Sequence, residues 1–119
     1  SIGVNDVVKM TSLNAWCDNL TAIADTLGSR FSVQRVLFSS VPPMHLFPAL
    51  PNPLRWWMGL RAKQLNETMQ TVVSAREGCE FLHIPYSGNP QDIAVDGFHP
   101  GAGAYAQWAK HLCERIERK

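Results

Sequence analysis

Between residues 12 and 27 the apolar side chains Leu13, Trp16, Leu20, Ile23 and Leu27 recur at steps of three and four. That spacing predicts an amphipathic helix with one buried stripe. Thr11 or Ser12 can accept its first free amide hydrogens, and Gly28 can supply a left-handed stop. Over residues 33–41 the period changes, and the consecutive Val36, Leu37 and Phe38 fit a strand covered on both faces. Five of the eight prolines then fall within residues 42–53, which predicts a stiff, extended surface loop. Helical spacing returns over residues 54–76, with Trp57, Leu60, Leu65, Met69, Val72 and Val73 expected inward. Residues 80–84 read as a second short strand, and residues 85–100 as a second long loop rich in Gly, Asn and Asp. A last helix is predicted over residues 101–118, buried through Tyr105, Trp108, Ala109, Leu112 and Ile116.

The chain opens Ser1-Ile2-Gly3-Val4-Asn5-Asp6-Val7. Glycine and an Asn-Asp pair after a short apolar run predict a strand tip, with the body of that strand upstream of Ser1. The order is then stub strand, helix, strand, helix, strand, helix. Such alternation argues for an α/β fold with a parallel sheet and right-handed crossovers. Ligands of such sheets bind outside the carboxyl ends of the strands. Residues 4–6, 39–53 and 85–100 lie at those ends.

Composition narrows the class further. A chain of 119 residues makes one domain, and buries roughly two thirds of its unfolded surface. With 45% hydrophobic residues and a net charge of +1, neither disorder nor nucleic-acid binding is expected. The apolar runs are too short for a membrane span, and the opening lacks the charged-then-apolar pattern of a secretory leader. Cys17, Cys79 and Cys113 are odd in number, scattered and without a CxxC pair. They read as reduced thiols packed as small apolar residues, which points to a cytoplasmic setting. In that setting the triplets Asn19-Leu20-Thr21 and Asn66-Glu67-Thr68 are not glycosylation sites. His45, His83 and His111 share no ligand spacing with His99, so neither a metal nor another cofactor is expected.

Two stretches carry candidate chemistry. In Asp96-Gly97-Phe98-His99-Pro100 a carboxylate stands within reach of an imidazole in one short turn. Accepting from Nδ1–H, it would leave Nε2 free to take a proton, the base-plus-orienter part of a catalytic triad. The plainer alternative is a turn-capping Asp before a helix-start His. Asn5, at a strand tip, would be a good oxyanion-hole donor, or simply a turn-former. Adjacent Trp56 and Trp57, with Met44, Phe47 and Met58 nearby, could line an acyl pocket, contact a partner or pack internally. Trp57 is expected in the core and Trp56 on the surface.

Gly3-Val4-Asn5-Asp6 and Asp96-Gly97-Phe98-His99-Pro100 together resemble two conserved blocks of the SGNH, or GDSL, hydrolases. Ser39-Ser40-Val41-Pro42-Pro43-Met44 and Phe47-Pro48-Ala49-Leu50-Pro51 are similar to that family's strand-end segment. Residues 54–66 resemble its following helix, and Ala104-Tyr105-Ala106-Gln107-Trp108-Ala109 its closing one. The resemblance implies a flavodoxin-like three-layer α/β/α sandwich and hydrolysis of small acyl esters by a serine nucleophile. It matches His99 to the general base, Asp96 to the residue orienting it, and Asn5 to the oxyanion hole. Asp6, Met44, Phe47, Trp56 and Phe98 become candidates for the substrate pocket. The nucleophile block, Gly-Asp-Ser, and the block with the oxyanion glycine belong upstream of Asn5. About three strands and three to four helices of the fold are therefore expected here. None of the eight serines follows Gly-Asp, and Ser39 and Ser40 are weak substitutes at a strand's carboxyl end. Two functions stay open: an esterase fragment inactive alone, or a stand-alone non-catalytic module that binds a ligand or partner. In either case a sheet edge and apolar helix faces are left uncovered. That predicts a homodimer or larger oligomer, or a separate N-terminal chain, on this side.

Overall fold

The protein is described by a computed structural model covering residues 1–118. Its described elements are α1 (Val4–Val8), α2 (Leu13–Phe31), β1 (Val36–Ser39), α3 (Leu54–Ser74), β2 (Cys79–Leu82) and α4 (Ala102–Glu117). Two 3-10 turns, Met44–Leu46 and Pro90–Asp92, lie in the long loops. The α/β class holds, with a small parallel sheet in which Val36 faces Cys79 and Ser39 faces Leu82. Ser40 N–H donates to the Leu82 carbonyl at 2.9 Å, carrying the ladder one step past the strands.

The opening residues do not form a strand tip. Val7 N–H donates to the Gly3 carbonyl and Lys9 N–H to the Asn5 carbonyl, at 3.0 and 2.8 Å, so residues 4–8 close as helix. Helix α2 starts as its sequence suggests, with Ser12 Oγ accepting from Ala15 N–H at 3.2 Å. Its end differs. It runs through Gly28 and stops at Ser32, whose φ of 53° is left-handed. Val33 N–H closes on the Leu27 carbonyl there at 3.1 Å. A glycine inside a helix costs only about 1 kcal/mol, which local bonding can outweigh.

The core lies where α2 crosses α3. Trp16, Leu20, Leu65, Met69 and Val73 are all at most 1% exposed. The Trp16 indole N–H donates to the Leu65 carbonyl at 3.0 Å, which satisfies a buried polar group. The inward face of α3 is Gly59, Ala62, Leu65, Met69 and Val73. Trp57 and Leu60, expected inside, are instead 43% and 40% exposed. The reason is steric. A Cβ at position 59 would stand 2.5 Å from His45 Cβ, so the Met44–Leu46 turn rests on the helix only because that face is small. A stripe sought through large apolar residues misses such a face.

The proline-rich segment is a surface loop only in part, since several of its apolar side chains turn inward. Val41, Met44, Phe47 and Leu50 are 2%, 0%, 3% and 9% exposed and form one wall of the core. Asn66 of α3 anchors it. Its Oδ1 accepts from Val41 N–H at 2.7 Å and its Nδ2 donates to the Val41 carbonyl at 2.8 Å. The amide thus stands in for a paired strand, and that bonding excludes glycosylation of the folded chain at Asn66.

Helix α4 buries no residue, contrary to its sequence pattern; Tyr105 and Ile116 are 55% and 58% exposed. Polar contacts hold its far end. Arg35 donates to Glu80 at 2.7 Å and to the Arg115 and Ile116 carbonyls at 2.8 and 3.3 Å, where a cation also suits the helix dipole. Arg115 pairs with the other Glu80 oxygen. The Arg35 hydrogen bond, helped by Arg115, holds the Glu80 carboxyl below its ordinary range.

Candidate active site

The loop between β2 and α4 folds on itself before reaching the helix. Ala94 N–H donates to the His99 carbonyl at 2.8 Å and Gly97 N–H to the Ala94 carbonyl at 2.9 Å. Gly97 carries φ of +70°, and a Cβ there would stand 3.0 Å from Ala49 N. Only glycine meets both demands, and the Gly97 carbonyl in turn accepts from Ala49 N–H at 3.1 Å. Phe98 packs edge-on against Phe47, with centroids 5.4 Å apart. The turn is thereby docked on the proline-rich wall.

Within this turn Asp96 organises His99. One carboxylate oxygen accepts from the Phe98 and His99 backbone N–H groups, at 3.0 Å each. The other meets His99 Nδ1 at 2.5 Å. The His99 backbone hydrogen bond, then its side chain and the Phe98 N–H, lower the Asp96 carboxyl to about 2. With the folded value below the ordinary one, these bonds are intact above the usual carboxyl range. They are lost only as pH falls through about 2. An ionised carboxylate only accepts, so Nδ1 must carry the proton, and Nε2 is the nitrogen that can take one. The pair is open to water, with the His99 side chain 70% exposed.

His99 borders a pocket of about 440 Å³ beyond the carboxyl ends of the strands, where a parallel sheet places ligands. Asn5, on the first turn of α1, lines the same pocket with Phe47, Phe98 and Ser40. The other sequence candidates stand elsewhere. Asp6 accepts from the Thr11 hydroxyl at 3.0 Å and closes the turn between α1 and α2. Met44 is wholly buried in the core, and Ser39 is 4% exposed and outside the pocket lining. Trp56 is 62% exposed, as its helix position suggested, but lines a separate depression with His45 and Lys63. Ser40 is also 4% exposed, and its Oγ accepts from Ile84 N–H at 2.9 Å.

Tyr86, Ser87, Asp92, Tyr105 and Trp108 also line the pocket, and sequence reading missed that role. Tyr105 and Trp108 carried a signal, an apolar stripe, but it pointed to the core. Ser87 and Asp92 are five residues apart in an irregular loop and meet only because its backbone curls, the Ser87 hydroxyl donating to Asp92. Among the described residues no three His, Cys, Asp or Glu side chains gather as a metal site would need.

The parallel α/β unit thus holds an Asp-paired imidazole beside an apolar pocket beyond its strand ends. The chain belongs to the GDSL-like lipase/acylhydrolase family, whose family model matches residues 1–107. The matched span includes Asn5, Asp96 and His99. No curated protein and no solved structure matches the chain. No helix among the described residues is long and apolar enough to cross a membrane.

Proposed function

We propose that these residues form the base-and-oxyanion part of an ester hydrolase site, and that the attacking hydroxyl comes from outside these 119 residues. The observation that carries this reading is the 2.5 Å contact of Asp96 with His99 Nδ1 beside a pocket shared with Asn5. In the reaction, His99 Nε2 takes the proton of a serine hydroxyl as its oxygen attacks the ester carbonyl. The carbonyl oxygen becomes an oxyanion, which the Asn5 amide stabilises. His99 then returns the proton to the leaving alkoxide, and water repeats the cycle on the acyl-enzyme. Asp96 keeps Nδ1 protonated throughout.

No serine present suits the attacking role. None follows Gly-Asp, and Ser39 and Ser40 are each 4% exposed. Serine-type sites without their nucleophile keep only about 10³–10⁴ over water, so weak activity is expected of the chain alone. Treatment with a fluorescent fluorophosphonate, read by intact mass, should give no adduct. A single adduct on Ser39 or Ser40 that disappears in His99→Ala would sink this reading.

A second reading follows from the surface. The chain exposes 7566 Å², about 1,100 Å² more than a compact monomer of 13.3 kDa. A standard interface takes about 800 Å² from each partner. We propose that a second copy covers the apolar side of α4 and the free edge of β1. Light scattering should give the mass of two chains at micromolar concentration, and Ile116→Glu should lower it to one. A wild-type monomer at all concentrations would rule the pairing out.

A further inference from the structure

The pocket beside His99 has an unusual lining for a simple fatty-acyl cleft. Five aromatic side chains reach it: Phe47 from the proline-rich wall, Tyr86 and Phe98 from the long loop, and Tyr105 and Trp108 from α4. Their planes are not parallel. Phe47 meets Phe98 at 82° and Tyr86 at 49°, so ring faces and edges turn in several directions. The side-chain charge is one-sided as well. Asp92 supplies a carboxylate to the lining and no lysine or arginine side chain borders it, while Ser1, which carries the α-amino group of the 119-residue chain, lines it too. The Ser87 hydroxyl donates to that carboxylate but does not neutralise it. Burial and then the Asp92 charge raise the Tyr86 hydroxyl above its ordinary range, so the field of Asp92 reaches the aromatic wall.

These features select a ligand class. A neutral alkyl chain uses the apolar wall but gains nothing from Asp92. An anionic group would face Asp92 with no side-chain cation to meet it. A cation wrapped in methyl groups suits both, because its surface is apolar and its charge is drawn to ring faces and to a carboxylate. The volume of about 440 Å³ lies toward the small end of ligand sites, which favours a small ester over a long lipid. We propose that this pocket binds a quaternary ammonium group, as the cationic end of a choline-type ester. The ester part rests on the hydrolase reading above; binding of the ammonium does not.

The test is titration of the 119-residue chain with choline and with its uncharged isostere 3,3-dimethylbutan-1-ol, followed at the Trp108 indole resonance. Choline should bind about tenfold tighter than the isostere. Asp92→Asn should remove most of that difference and leave isostere binding unchanged. Trp108→Leu, read by calorimetry, should weaken choline more than the isostere, and it covers the case in which Asp92→Asn disturbs the loop. Equal affinity for both probes, or binding of neither, overturns the proposal. Neither result bears on the hydrolase reading, which is judged by the fluorophosphonate labelling and its His99→Ala control.

Discussion

Trp16→Ala should lower the stability of the domain by about 3–5 kcal/mol, the cost of emptying a large aromatic site in a packed core. Trp16, on α2, is 1% exposed, and its ring end reaches Gly3 at the start of α1, where an added Cβ would stand 3.4 Å away. Its indole also donates to the Leu65 carbonyl at 3.0 Å, so the substitution removes a buried hydrogen bond as well as packing. Domains of this kind are stable by only about 5–15 kcal/mol, and a small one sits toward the lower end. The change therefore removes a third or more of what holds the fold. Urea unfolding followed by circular dichroism should show the midpoint falling with an unchanged slope. Trp16→Phe, which keeps most of the volume and loses the bond, should fall between the two. A loss below 1 kcal/mol for Trp16→Ala would mean that α2 does not pack on α3 as described.

Asp96→Asn should invert the tautomer of His99. The Asn side chain can still accept from the Phe98 and His99 backbone N–H groups through Oδ1, so the turn is retained. Where the second carboxylate oxygen met Nδ1 at 2.5 Å, however, it places an NH₂ donor. Nδ1 must then accept, the proton moves to Nε2, and the imidazole can no longer act as base toward the pocket. Long-range ¹H–¹⁵N spectra of the neutral ring should report a protonated Nδ1 in the wild type and a protonated Nε2 in the variant. In a complete serine-type site, the same change costs on the order of 10⁴ in turnover. An unchanged tautomer would remove Asp96 from the orienting role.

Much of this was readable in the linear order of residues. Leu13, Trp16, Leu20 and Ile23 mark α2 by period alone, because a helix returns to one face every three or four positions. Val36-Leu37-Phe38 marks β1 by its consecutive apolar residues. Asp96 and His99 were legible as a pair because three residues separate them and one turn suffices to join them. Asn5 was legible as a candidate donor from its amide and its place after a short apolar run, and the resemblance chose that role over a plain turn. Its surroundings were misjudged, since Gly-Val-Asn-Asp suits a strand tip and a helical turn equally, and hydrogen bonds from Val7 and Lys9 decide for the turn.

The sequence by itself determined α2, β1, α3, β2 and α4, their alternation and the Asp96–His99 pair, all marked by patterns within a few residues. Only the tertiary structure decided which stripes are covered. Leu65 and Met69 are buried because α2 lies over them. Tyr105 and Ile116, on an equally regular stripe, stay exposed because nothing among the described residues lies over that side of α4, whose Trp108 and Leu112 are only half-buried. It also decided that Met44, Phe47 and Leu50 of the proline-rich segment are core, since Gly59 and Ala62 leave room for the turn against α3. The pocket was decided in the same way. Its aromatic wall and Asp92 come from segments distant in sequence, and burial depends on what the rest of the chain places opposite a residue.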